Sequence, residues 1–319
     1  MGTPLAGVCL CGMALWAAIR ISRHHDDAVI VMIAALSGLV AVCVAAWWTG
    51  RYGTRLVPIM RRRGVNLEAR RGTPAVWLVA HLDSKSQPVS LLVRAVAASL
   101  IACGWILASV CWGLGRILGL DPGAEVVFLF AAAIASIPLV LSWVQQDGDG
   151  TLDNASGVVS ILGAAKQIAS GPVGVLITSA EELGLAGARA WVHGRSAAVA
   201  INCDGVDDTG TVTVTTGGNG RRFWKRLSSG QSTDAAVRLR RMLPGVLMDS
   251  TAFSDQGWDA CTVSRGTLDS LARIHTSGDT LTRLTGKGIE GVQDLITSMA
   301  AAVIADGKTP ETENRGLDG

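Results

Sequence analysis

Four long apolar runs set the first limit on what this chain can become: Leu5 to Ile21, Asp27 to Thr49, Ala95 to Gly115 and Glu125 to Trp143. Each approaches the roughly 20 residues that cross a hydrocarbon core. An ordinary soluble domain does not carry such runs. Composition agrees: 49% of the 319 residues are hydrophobic, 17% are charged, and mean hydropathy is +0.37. Trp47, Trp48 and Trp143 stand at the ends of apolar runs, where interfacial anchors sit. The first two runs, linked through Arg20 to Asp27, read as a transmembrane hairpin over residues 1–50. A signal peptide fits less well, because no basic segment precedes Leu5 and a second run follows at once. The other two runs, linked through Gly119, Asp121, Pro122 and Gly123, read as a second hairpin over residues 89–145. A hairpin returns to the side it left, so this one can be inserted into a globular domain. About four transmembrane helices are expected.

After the first hairpin come Arg51, Arg55, Arg61, Arg62, Arg63, Arg70 and Arg71, against the single acid Glu68. No aromatic platform is interleaved, so nucleic acid is not the expected partner. A juxtamembrane basic cluster is held on the cytoplasmic side. The expectation is a multi-pass protein of a bacterial-type cell membrane, with the lipid bilayer as partner and the folded domain facing the cytoplasm. Five cysteines lie in apolar runs and only Cys203 and Cys261 elsewhere, so they read as small packing residues rather than a disulfide framework or a metal knuckle.

Outside the hairpins, residues 51–305 alternate strand and helix patterns. Helices are expected over Asn154 to Ile168, Leu183 to His193, Arg221 to Ser228, Asp234 to Met242 and Lys287 to Ala305. Strands are expected over Val173 to Ser179, Ala197 to Asn202, Thr211 to Thr216 and, weakly, Thr262 to Ser264. The apolar run from Thr73 ends at His81 and Asp83, which share a face if it is a strand. This alternation predicts an α/β domain with a mixed sheet covered on both faces, and a site at the carboxyl ends of its strands. Residues 306–319 are polar and read as a disordered tail.

The chemistry concentrates between Asp147 and Gly187. An Asp153-Asn-Ala-Ser-Gly157 turn, a helix and a buried strand lead to the adjacent acids Glu181 and Glu182. Two close carboxylates repel, and burying them without a cation costs several kcal/mol. His81/Asp83, Asp204 and His275/Asp279 are further ligand-type residues in loops or at strand ends. Singly each has a bland reading: Asp153 as a helix cap, Asp204 as a turn residue, His275 to Asp279 as a plain loop. Together they suit a divalent metal. Ser156 and Ser254 lack a nucleophile elbow. Thr216 to Gly220 lacks the lysine of a phosphate loop.

The ordered motifs Ala80-His-Leu-Asp-Ser84, Asp153-Asn-Ala-Ser-Gly157, Ala180-Glu-Glu-Leu-Gly-Leu-Ala-Gly187, Ile201-Asn-Cys-Asp204 and His275-Thr-Ser-Gly-Asp-Thr280 resemble the co-catalytic di-zinc aminopeptidases. That superfamily includes bacterial leucyl aminopeptidase, aminopeptidase S and glutamate carboxypeptidase. The resemblance runs from about Asn66 to Ala305, apart from the second hairpin. It implies a three-layer α/β/α zinc-exopeptidase domain over 51–305, interrupted by 89–145, that binds two zinc ions and releases N-terminal amino acids from a peptide substrate. It implies that Asp153 bridges the metals, that His81 and Asp204 complete one and Glu182 and His275 the other. Glu181 would be the general base acting on the bridging water, and Asp83 would orient His81; Asp279 would support His275 similarly. Asp147 and Asp149 are rivals for the place of Asp153. Ser254, Asp255 and Trp258 either line the substrate pocket or form a structural turn. Two alternatives stay open: a one-zinc amide-bond enzyme of the glutaminyl-cyclase type, and a non-catalytic membrane interaction protein with the same fold.

Overall fold

The computed structural model describes residues 2–23, 63–119, 123–217, 237–242 and 246–306, with residue 224 and scattered positions between 29 and 48. About half of the expected run Asp27 to Thr49 lies outside the described residues, as do the expected helix Arg221 to Ser228 (except residue 224) and the tail from 307 on. Two compact units divide the chain: residues 1–49, 85–147 and 271–278 form one, and 50–84, 148–270 and 279–319 the other.

The first unit is helical: α1 (Gly2–Arg23), α2 (Leu91–Leu118), α3 (Ala124–Ala135) and α4 (Ile137–Val140). Ser90 starts α2 by accepting the Val93 N–H, and Gly119 ends it in a left-handed conformation. Small residues let these helices approach: Ala14, Ala17, Ala18, Ala108 and Ala132 pack with Trp105 and Leu129. Outward faces stay apolar, with Ile106, Leu114, Ile117, Val127 and Ile134 exposed. Of the expected spans, only Leu91–Gly115 reaches full length among the described residues, at mean hydropathy 2.1; Leu5–Ile21 and Ala124–Val140 are shorter apolar helices. The last expected run breaks between α3 and α4. There Ser136 Oγ bonds back to the Ala132 carbonyl, and Pro138 has no N–H with which to continue the helix.

The second unit is built on a mixed sheet, seven-stranded among the described residues: β1 (Leu67–Arg70), β2 (Val76–His81), β3 (Val173–Thr178), β4 (Val199–Val206), β5 (Thr211–Thr216), β6 (Arg238–Arg241) and β7 (Asp259–Gly266). The order is β1-β3-β2-β4-β7-β5-β6. The β3-β2-β4-β7 centre is parallel, β1 and β5 join antiparallel, and β6 runs parallel to β5. Alternation along β2 sorts the two faces. Val76, Leu78 and Ala80 face a core shared with α5 (Ser156–Gln167) and a long C-terminal helix. Trp77 and Val79 face one shared with α6 (Ala186–Val192) and α7 (Asp249–Ser254). The α/β/α layering is therefore as expected. The C-terminal helix α8 (Lys287–Asp306) is also long and apolar enough to cross a membrane. It buries Val292, Ile296, Met299 and Val303 in the sheet core, as a soluble-type core helix does. Two helices thus pass the membrane test among the described residues, rather than the four expected.

Two elements differ in kind from expectation. Asp234 to Met242 was expected as a helix, but Arg238–Arg241 pairs with Thr213 to Thr216 as an edge strand. The weak strand at Thr262 is a full eight-residue β7, because both of its neighbours pair with it. Cys203 and Cys261 are buried in adjacent strands, and burial pushes both thiols up to about 12, in keeping with packing roles.

Candidate metal centre

The parallel strands of the second unit all end on one side, and their ends carry the site. His81 is the last residue of β2 and fully buried. Its Nδ1 faces the Asp83 carbonyl oxygen at 2.9 Å. Its Nε2 lies 3.1 Å from Asp153 Oδ1 and 3.5 Å from Asp204 Oδ1. The three ligand atoms converge within 4.8 Å of one another. Asp204 reaches this point because β4 shifts register against β7 between Cys203 and Val206, and such an irregularity re-aims a side chain.

The 153–157 turn is fixed from several sides. The backbone amides of Leu152 and Asp153 donate to the two carboxylate oxygens of Asp279 at 2.7 and 3.0 Å. Asn154 donates to the Cys203 carbonyl and accepts from the amides of Gly157 and Gly205, which ties the turn to the Asp204 end of β4. Ser156 Oγ accepts the Val206 amide. The Asp153 side chain does not cap α5, whose N-cap is Ala155 without a side-chain bond. Of the two rivals, Asp149 accepts the Leu281 amide, and Asp147 belongs to the helical unit. A Cβ on Gly157 would collide with Asn154 Oδ1 and the Cys203 carbonyl. Gly157→Ala should therefore destabilise the domain by about 3 kcal/mol, the upper end of overpacking, and weaken zinc binding together with the turn. Chemical denaturation and a zinc titration check both effects.

The acid pair leaves β3 through a left-handed Ala180 into a short helical turn, Glu181–Leu183. Asp83 makes this possible. Its two carboxylate oxygens accept the amides of Glu181 and Glu182 at 3.0 and 3.1 Å. The expected role of Asp83 is thus revised: the backbone carbonyl holds the His81 ring, and the carboxylate, 3.9 Å from Nδ1, holds the acid pair. Asp279 braces the Asp153 turn.

His275 belongs to segment 271–278 of the helical unit, in a left-handed conformation. There its carbonyl accepts the Gln87 amide at 2.7 Å, and its Nδ1 lies 3.2 Å from Arg94 Nη2.

Crowding shapes the charges. Burial by itself would lower the pKa of His81, but hydrogen bonds from its ring to the carboxylates of Asp153 and Asp204 raise it well above the usual histidine value. Burial, with Asp204, Asp249 and Glu182 nearby, holds Glu181 well above the ordinary carboxylate range despite the opposing pull of His81. A buried imidazole wedged among acids is a place where a divalent cation can substitute for protons.

With this geometry in view, the profile of peptidase family M28 matches residues 65–300. The chain belongs to peptidase family M28. Similar solved structures include a zinc aminopeptidase from Bacillus subtilis, at 16% identity and TM-score 0.49, covering 75% of this chain and 50% of that one. Others are an aminopeptidase from Aneurinibacillus sp. strain AM-1 (20% identity, 50% of this chain, 41% of that one, TM-score 0.42) and the LapA aminopeptidase of Legionella pneumophila (18%, 51%, 48%, 0.42). The chain spans about half the length of these structures. No curated protein sequence matches it.

The residues of this M28 chain fit zinc: an imidazole nitrogen and two carboxylates converge at a buried point. One buried acid near the site escaped the sequence reading. Asp249, at the start of α7, is fully buried; one of its oxygens bonds Thr178 Oγ1 at the end of β3, and the other has no hydrogen-bond partner. Burial, opposed by His81 and the Thr178 bond but aided by Asp204 and Asp83, raises its carboxyl to about 6. It stands five residues before Ser254-Asp255, and no motif marks it in the sequence. Asp255 pairs with Arg189 at 3.0 Å, and Trp258 packs in the aromatic core against Phe253 and Trp191, so that segment is the structural turn.

Proposed function

We propose that this M28 chain is a membrane-anchored zinc exopeptidase that hydrolyses N-terminal amino acids from peptides. The observation that carries the reading is the convergence of His81 Nε2, Asp153 and Asp204 at the buried ends of adjacent strands. His81 and Asp204 would hold one zinc ion, Glu182 and His275 the other, with Asp153 shared between them. When bound, zinc supplies Lewis-acid polarisation of the scissile carbonyl and water of lowered pKa. Glu181 would take the proton from the attacking water and return it to the leaving amine. Asp83 anchors the backbone of Glu181 and Glu182 through their amides. Zinc content and release of amino acid from aminoacyl reporter substrates test this reading. A zinc-loaded protein that turns over no such substrate defeats it.

The anchor rests on α2, long and apolar enough to cross a membrane, and on the exposed apolar side chains of its neighbours. A multi-pass arrangement and a cytoplasmic catalytic unit follow from the four apolar runs and the Arg51 to Arg71 cluster. The protein should stay in the membrane pellet after alkaline carbonate washing and be released only by detergent. Recovery in the wash would refute the anchor, and an external signal from a C-terminal reporter fusion would reverse the orientation.

A further inference from the structure

The acid pair sits on a loop with a closed neck. β3 ends at Thr178, and α6 begins at Ala186. Between them Ala180, Gly184 and Leu185 all take left-handed conformations. Two of the three carry a Cβ, for which that conformation is costly. Such residues persist only where their surroundings hold them. Leu185 is held by its side chain, which is fully buried in the aromatic core. Ala180 has no such anchor, since its methyl group is only half-buried. Glu181 follows directly, so the torsions at Ala180 set the direction in which the proposed base leaves β3.

Hydrogen bonds take the place of that anchor. Behind Ala180 works Asn66, which stands just before β1. Its Oδ1 accepts the Ser179 amide at 3.0 Å and the Ser179 hydroxyl at 3.3 Å. Its Nδ2 donates to the Gly187 carbonyl at 2.9 Å. One carboxamide thus ties the residue before the loop to a residue after it. Asparagine suits the task, because one short planar group must accept at one end and donate at the other. The neck is tight: a Cβ on Gly187 would overlap the Ser179 carbonyl oxygen. Ahead of Ala180, Asp83 takes the amides of Glu181 and Glu182. Across the neck, the Ala186 amide donates to the Ala180 carbonyl at 2.9 Å. Ala180 is bracketed, and every residue of the bracket belongs to the sheet unit.

We propose that Asn66 is the latch of this loop, a positioning residue that holds Ala180 in its left-handed conformation and so aims Glu181. It acts through the backbone, since its hydrogen bonds go to the two sides of the neck. The catalytic consequence rests on the zinc-exopeptidase reading; the latch itself does not.

The test pairs hydrogen exchange with kinetics, on the full-length protein in lipid nanodiscs. In the metal-free protein, Asn66→Ala should speed exchange of the Glu181 and Glu182 amides by about 10-fold, the scale of one left-handed non-glycine residue. The amides of β2 should not change and report that the sheet is folded. At saturating zinc, Asn66→Ala should lower kcat by about 10-fold and leave KM in place. Ala180→Gly separates aiming from a purely structural role. Glycine takes the left-handed conformation without steric cost. Added to Asn66→Ala, it should restore most of the exchange protection and most of kcat. A residue that only held β1 to the sheet would not be rescued from position 180. Unchanged exchange or kcat in Asn66→Ala, or no rescue by Ala180→Gly, overturns the proposal while the peptidase reading stands. If Asn66→Ala loses protection in β2, Asn66→Ser, too short to span the neck, decides by the same criteria. If the wild type turns over no aminoacyl substrate, the peptidase reading falls, and exchange with its rescue alone decides the latch.

Discussion

Glu181→Gln is expected to keep the zinc content of the wild type and to lose about 10³-fold in turnover of an aminoacyl substrate, in the range that removal of a general base costs. Glutamine matches the shape of glutamate but cannot take a proton. The backbone that carries residue 181 is held independently of its side chain, because its amide bonds Asp83. The substitution therefore removes proton transfer and leaves the scaffold. Burial and the neighbouring acids make Glu181 a stronger base than an exposed carboxylate. Its KM should change little, since the side chain's work lies in the transition state. Glu182→Gln should differ in kind, losing zinc along with activity. Equal zinc content and equal kcat in Glu181→Gln and wild type would remove Glu181 from the chemistry.

Much of the site was legible because its motifs are local. In Asp153-Asn-Ala-Ser-Gly157, each polar residue has one physical task within a few residues of chain, and Gly157 is there because no side chain fits. The order of His81, Asp153, Glu182 and Asp204 along alternating strands and helices placed them at one edge of a sheet. What was not legible depends on contacts distant in sequence. Asp83 reaches across to two amides on the far side of the inserted hairpin. Asp249 meets Thr178 on another strand, and nothing near it in the chain announces a site. The strand Arg238–Arg241 exists because β5 offers it an edge, whatever its own helical pattern. Among the described residues fewer full-length spans appear than expected for a similar reason: apolarity fixes burial but not helix continuity, and Ser136 with Pro138 interrupts the last run.

Zinc should also govern the stability of the domain, with a pH dependence of definite sign. Without metal, three site groups favour the protonated form when folded. Asp249 is raised from 3.8 to about 6, Glu181 well above 4.5, and His81 well above 6.5. For the two acids, raised folded pKa values mean that stability falls as pH rises past their unfolded values. For His81, the stabilising charge is complete below 6.5 and is lost as pH rises through the raised value. All three act in one direction, so the metal-free protein should lose stability steadily from about pH 4 to beyond pH 7. Zinc reverses the trend, because it takes the place of those protons and binds better once they have left. At zinc about 1,000-fold above its dissociation constant the gain is about 4 kcal/mol, or roughly 10 °C in Tm for a domain of this size. His81→Ala removes the imidazole that both the proton and the metal use. It should abolish the zinc-dependent rise in Tm, flatten the pH dependence near neutrality and take activity to background. Thermal melts with and without zinc at pH 5.5 and 8 measure all of this except activity. A zinc shift equal at the two pH values, or one that survives in His81→Ala, would mean that the cluster at the strand ends is not where the metal binds.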